Sequence, residues 1–86
     1  MYFVYVLQSL VDYKFYTGFT QNIKERINNH NLGKVSSTNR RRPLKIIYFE
    51  ASLNKSDALK REKYLKTSYG KRYIKNRLNN YLTEAE

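Results

Sequence analysis

The sequence predicts an α+β domain: a small three-stranded sheet covered by helices, in the order β-β-α-β-α-α. Three observations lead there. The stretch Tyr2 to Thr20 holds a non-polar and aromatic run, a polar turn and a β-rich return. A second β-rich centre lies at Ile46, Ile47, Tyr48 and Phe49. Elsewhere, apolar residues recur at helical spacing behind capping residues, so sheet and helices can bury one another's apolar faces.

The elements follow in order. Tyr2, Phe3, Val4, Tyr5, Val6 and Leu7 lack the alternation of a strand with one wet side, so this strand is expected to be covered on both faces. Leu10 to Tyr13 supplies a turn with Asp12 as its polar residue, and Lys14 to Phe19 returns. Gly18 interrupts the returning strand, where glycine marks a bulge or a close approach to the backbone. Asn22 to Leu32 reads as a helix, with Asn22 as cap, Glu25 closing a capping box and Gly33 as a left-handed stop. Ile23, Ile27 and His30 fall within about 60° of one another on that helix, and Arg26 precedes His30 by one turn. Gly33 to Pro43 is a loop by composition, and Leu44 to Ala51 a third strand. Asn54 or Ser56 caps a second helix running to about Thr67, with Ala58, Leu59 and Leu65 as its stripe and Glu62 inside that stripe. Gly70 is expected to break the run before a third helix, Lys71 to Leu82, built on Ile74, Leu78, Tyr81 and Leu82. The tail Thr83 to Glu86 is expected to fray. No repeat or linker interrupts this order, so residues 1–86 read as a single domain with its core in about 1–82.

Composition narrows the partners. The 86 residues include no cysteine, which removes disulfides and Cys-based zinc sites as supplements to a small core. The apolar run is far below the ~20 residues of a membrane span, and the first ten residues lack a basic start and a cleavage site. The simplest expectation is a soluble cytoplasmic protein with no membrane partner. Seventeen Lys and Arg against seven Asp and Glu leave a formal net charge of +10, which points to a polyanion, most often nucleic acid. Nine tyrosines and four phenylalanines add stacking capacity.

Phe3-Val4-Tyr5, ten intervening residues, then Tyr16-Thr17-Gly18 resembles the paired signature of the GIY-YIG nuclease superfamily. More narrowly, it is similar to the small stand-alone, single-domain members (UPF0213-like). Both tyrosines and Gly18 match the signature literally. Phe3 stands where the family has Gly, and Val4 and Thr17 stand for Ile. The segment Ala58 to Lys66, ALKREKYLK, is also close to the pattern of the small members. The resemblance covers roughly residues 1–82 and implies the same element order.

Each candidate residue has an ordinary reading beside the one the resemblance implies. Glu62 could simply pair with a Lys or Arg, because an inward carboxylate needs a partner; the resemblance makes it the ligand of one divalent cation, Mg2+ or Mn2+. Arg26 could be a solvated helix charge, or a guanidinium that clamps the scissile phosphate. His30 could be a hydrogen-bonded core residue, or, as the resemblance implies, a catalytic residue in a general-base role, which the charged ring favoured near a helix C-terminus would complicate. Tyr5 and Tyr16 are ordinary core fillers, or phenols that activate and orient water. Gly18 would let a substrate backbone come close. Asn76 is the nearest match to an Asn that the family tends to carry in its last helix, but the helical wheel turns it toward solvent.

Basic residues cluster at Arg40, Arg41, Arg42 and Lys45, at Lys55, Lys60, Arg61, Lys63 and Lys66, and at Lys71, Arg72, Lys75 and Arg77. Such runs suit a surface that tracks phosphates without reading bases. The resemblance therefore implies a metal-dependent DNA endonuclease with structure rather than sequence selectivity, in DNA repair or recombination. A nucleic-acid-binding module of the same fold with little or no turnover is the alternative, and a structural adaptor has no sequence feature of its own.

Overall fold

The computed structural model describes residues 1–84. Three antiparallel strands, β1 (Tyr2–Ser9), β2 (Phe15–Thr20) and β3 (Leu44–Ser52), form one sheet in the order β2-β1-β3. The continuous apolar run is thereby explained: β1 is the central strand, and Val4, Tyr5, Val6 and Leu7 are all buried. Alternation sends them to two cores. Val4 and Val6 pack with Ala58, Leu65 and Ile74 from the helices after β3, whereas Tyr5 and Leu7 pack with Leu44, Ile23 and Ile27 on the opposite face.

The hairpin turn closes where expected, with Tyr13 in the left-handed region at φ 61° and its N–H donating to the Ser9 carbonyl at 2.9 Å. Ser9 Oγ accepts from the Val11 N–H, and Asp12 Oδ1 accepts from that of Lys14. Opposite β1, β3 carries a bulge. Val6 pairs with Tyr48 and Leu7 with Ile46, so Ile47 is the extra residue. It joins Tyr48 on the first core, while Ile46 serves the second.

Helix α1 (Ile23–Asn31) starts on Asn22, whose side chain accepts from the Glu25 N–H at 3.1 Å. The reciprocal half of the expected capping box is replaced, because the Asn22 N–H donates to Thr20 Oγ1 at 3.1 Å. Gly33, at φ 79°, ends the helix in the left-handed stop. The loop that follows contains a short 3-10 turn, Asn39–Arg41. Helix α2 (Lys55–Leu65) is capped by Asn54 rather than Ser56, through the Asp57 N–H. Its seam is Ala58 and Leu65; Leu59 is 41% exposed and leaves the expected stripe.

Gly70 does not separate two helices. It sits in the first turn of α3 (Ser68–Arg77), donating its N–H to the cap Thr67 Oγ1 at 3.2 Å. A Cβ at this position would collide with the Tyr64 carbonyl oxygen and Leu65 Cα, so glycine lets α3 start hard against the end of α2. The single helix expected over Lys71 to Leu82 is divided at Leu78, and α4 (Asn79–Glu84) follows. The bend carries Tyr81 to the sheet, where its hydroxyl donates to Gln8 Oε1 at 2.8 Å. Of the tail expected to fray, Thr83 and Glu84 belong to α4, and residues 85 and 86 lie outside the described residues.

Candidate active site

The hairpin and α1 bring four side chains into contact. Tyr5 faces Gly18 across the β1–β2 pair, and its ring fills the space above that glycine, where a Cβ would collide with the Tyr5 Oη and Cζ. The close approach expected at Gly18 is therefore made by Tyr5, not by a ligand, and Gly18 itself is buried. Tyr16 pairs with Leu7 two positions along, which sets its ring beside that of Tyr5 with centroids 6.4 Å apart. Arg26 and His30, one helical turn apart, reach the same hydroxyl. Arg26 Nε donates to Tyr5 Oη at 3.2 Å, and His30 Nε2 lies 2.8 Å from it. The imidazole also stands edge-on to Tyr16, 5.0 Å between centroids and 65° between planes.

A fifth residue closes the group from behind. Thr38 Oγ1 lies 2.7 Å from His30 Nδ1. Tyr5, His30 and Thr38 are all fully buried, while Tyr16 and Arg26 are partly exposed and form the mouth of the site. Sequence reasoning misses Thr38 because it ends a run of three hydroxyl residues, Ser36-Ser37-Thr38, that composition cannot tell apart.

Glu62 is on α2, in the opposite cover of the sheet, and makes no hydrogen bond to the four. Its carboxylate is one of the charges acting on the Tyr5 hydroxyl. The side chain is 19% exposed, and its Oε2 lies 3.2 Å from Lys66 Nζ one turn on. Along the free edge of β2, Tyr16 and Thr17 line a cavity of about 220 Å3 together with Leu65 and Lys66.

The loop cations are less free than their composition suggests. Arg41 lies 3.5 Å from Asp12 and donates from Nη2 to the Phe15 carbonyl, so it buttresses the hairpin. Arg42 Nε donates to the Asn39 carbonyl at 2.7 Å, and its guanidinium packs over Gly33. Lys45 Nζ rests 5.1 Å from the centre of the Tyr81 ring, and Arg40 is exposed. Asn76 is exposed on α3. Another cluster is also invisible in the sequence pattern. Glu50 accepts from Arg61 Nε and Nη2 at 3.0 and 2.9 Å and from Tyr48 Oη at 2.8 Å. That pairing ties α2 to β3 and takes Arg61 out of the basic face.

A family model of the GIY-YIG catalytic domain matches residues 1–79. The chain belongs to the GIY-YIG family. Among its relatives is a UPF0213 protein of Limosilactobacillus reuteri, 43% identical over 68 residues, which span 76% of this chain and 70% of the relative. One from Pediococcus acidilactici is 35% identical over 82 residues, 92% of this chain and 83% of the relative. One from Staphylococcus haemolyticus is 40% identical over 67 residues, 77% and 80% of the respective chains. No solved structure matches the chain. Among the described residues, no helix is long and apolar enough to cross a membrane.

The protonation states of this cluster follow from its burial. His30 is held down to about 4, first by loss of water and then by the Arg26 charge, so the ring is neutral at pH 7. Burial thus outweighs the helix-end effect that favours a charged ring. Burial also pushes the Tyr5 hydroxyl above its ordinary value, against the opposing hydrogen bond and charge of Arg26. Arg26 in turn is held more firmly charged, chiefly by its hydrogen bond to Tyr5.

Glu62 offers a hard carboxylate whose partner, Lys66, is itself 56% exposed. Among the described residues, no three His, Cys, Asp or Glu side chains gather into a cage. An ion at Glu62 would complete its shell with water and phosphate oxygens.

Proposed function

We propose that the chain is a metal-dependent endonuclease that hydrolyses phosphodiester bonds in DNA, selecting by structure rather than sequence, and that it serves DNA repair or recombination. The observation that carries this reading is the Tyr5 hydroxyl held between His30 Nε2 and Arg26 Nε, with Tyr16 at the mouth. A phenol with a raised pKa is a poor base alone. Paired with a neutral imidazole, it can take a proton from water while passing its own to His30. Arg26 holds Tyr5 through Nε, and its partly exposed guanidinium can turn its planar fork toward a phosphate. When the guanidinium turns to a phosphate, it uncovers the Tyr5 hydroxyl, so substrate binding and base exposure are one event. A divalent cation held by Glu62 would supply Lewis-acid stabilisation of the charge developing on the phosphoryl group.

Substrate reach is supported by the adjoining surface. A cavity of about 360 Å3 lined by Tyr13, Lys14, Phe15, Arg41, Lys71 and Lys75 shares Phe15 and Lys71 with the cleft at Tyr16. Lys14, Lys71 and Lys75 form no ion pair among the described residues. Together they make a cationic path, with aromatic rings for stacking, that leads to the site.

The second reading, a nucleic-acid-binding module with little turnover, is favoured by the Glu62–Lys66 pair, which occupies the one carboxylate. Cleavage of branched, nicked or single-stranded DNA in Mg2+ or Mn2+ separates the two. Glu62→Ala should abolish cutting and leave binding intact. Binding that the metal never influences, with no cutting of any of these substrates, would establish the module instead.

A further inference from the structure

We propose that Thr38 is a positioning residue whose hydroxyl accepts the His30 Nδ1–H and so reserves Nε2 as the acceptor of the Tyr5 proton. Tyr5, His30 and Thr38 are fully buried, so their donors and acceptors must satisfy one another. Arg26 Nε can only donate, and it donates to Tyr5 Oη. The Tyr5 proton therefore needs an acceptor. Among the described residues, His30 Nε2, at 2.8 Å, is the only acceptor within hydrogen-bond distance of that hydroxyl. Nε2 must then be bare, which places the ring proton on Nδ1. At 2.7 Å from Nδ1 stands Thr38 Oγ1, now the acceptor, with its own proton directed to the Val35 carbonyl at 3.4 Å. Every hydrogen bond then runs one way: Arg26 to Tyr5, Tyr5 to His30, His30 to Thr38, Thr38 to Val35. The opposite tautomer would aim two N–H groups at Tyr5 Oη and leave the phenol proton without a protein acceptor.

The backbone holds Thr38 in this role. Its N–H donates to the Val35 carbonyl at 3.1 Å, and its carbonyl accepts from the Arg41 N–H at 2.9 Å, at the start of the 3-10 turn. The loop between α1 and β3 is thus part of the site's wiring, not only a cationic surface. The consequence for turnover rests on the nuclease reading above; the tautomer itself does not.

His30 is the sole histidine, so 15N-histidine labelling yields a single pair of ring-nitrogen signals. The wild type at pH 7 should show a protonated Nδ1 and a bare Nε2. Thr38→Val keeps the shape but removes the acceptor, and should move population to the Nε2–H form; Thr38→Ser should restore the wild-type pattern. A wild-type spectrum with the proton on Nε2 overturns the proposal, even if Thr38→Val fails to fold. So does a folded Thr38→Val protein that keeps Nδ1 fully protonated. In cleavage assays Thr38→Val should lower kcat roughly 10- to 100-fold with KM unchanged, within the range of a misdirected general base. Loss of KM alone would count against the role. Should the wild type cut nothing, the nuclease reading fails while the nitrogen spectra still decide the tautomer.

Discussion

Acidification offers a direct measure of how the site is built. His30 is fully buried and meets Tyr5 and Tyr16 from the sheet, Arg26 from its own helix and the uncharged Thr38 from the following loop. Burial and the neighbouring guanidinium hold its pKa to about 4, against 6.5 for a free ring. The folded value lies below the unfolded one, so between these limits the unfolded chain takes a proton that the native chain refuses. Stability is therefore full above about pH 6.5 and is lost as the pH falls toward 4. At roughly 1.4 kcal/mol per unit, the gap amounts to about 3 kcal/mol at its low-pH limit and about 2 kcal/mol at pH 5. For a domain of this size that is a fall in Tm of roughly 8–16 °C between pH 7 and pH 5. Urea or thermal melts followed by circular dichroism at pH 7, 6, 5.5 and 5 would record it. His30→Gln should be less stable at pH 7 and lack most of this slope, since no other histidine exists to supply it. A wild-type stability that is flat from pH 7 to 5, or a His30→Gln slope equal to the wild type's, would refute the reasoning.

Two further outcomes follow from packing and charge. Gly18→Ala places a methyl against the Tyr5 ring and should destabilise the domain by about 1–3 kcal/mol, read from urea melts. Because the displaced ring carries the hydroxyl shared by His30 and Arg26, cleavage should fall further than stability alone explains. Lys71→Gln with Lys75→Gln should weaken DNA binding and lower the salt slope of affinity by about 2, one per phosphate contact, with melting unchanged; an unaltered slope in fluorescence anisotropy titrations would remove these lysines from the path.

What the sequence discloses about the fold depends on how local the cause is. The two-faced burial of β1 is legible because a central strand must be apolar on both sides, and six consecutive residues say so. Asn22, Asn54 and Gly33 are legible because caps and stops act through their own backbone neighbours. Gly70 misleads for the same reason. Its local propensity reads as a breaker, yet its purpose is tertiary, to let α3 touch the Tyr64 carbonyl. Leu59 leaves the apolar stripe because Ala58 and Leu65 alone meet the sheet, a matter of how α2 is rotated against β1. Among the candidate residues, Tyr5, Tyr16, Arg26 and His30 are singled out by the resemblance, and the structure brings them together. Thr38 is not, since only the path of the loop decides which of three adjacent hydroxyls points inward.

The central strand also explains why four of the five expected residues touch and Glu62 does not. Tyr5, Tyr16, Arg26 and His30 sit on one cover of the sheet, joined by the second core of Leu7, Ile23 and Ile27. Glu62 belongs to the other cover, seated through Ala58 and Leu65 on Val4 and Val6. Glu62 and the four thus share β1 but rest on separate cores, and the carboxylate reaches the Tyr5 hydroxyl through its charge, not through a hydrogen bond. Such an arrangement keeps the Tyr5–His30 pair assembled and buried, while the carboxylate stays paired with an exposed lysine. A phosphate entering at Tyr16 would draw both Arg26 and Lys66 toward itself. The same charge would uncover the phenol on one side of the sheet and free the carboxylate on the other.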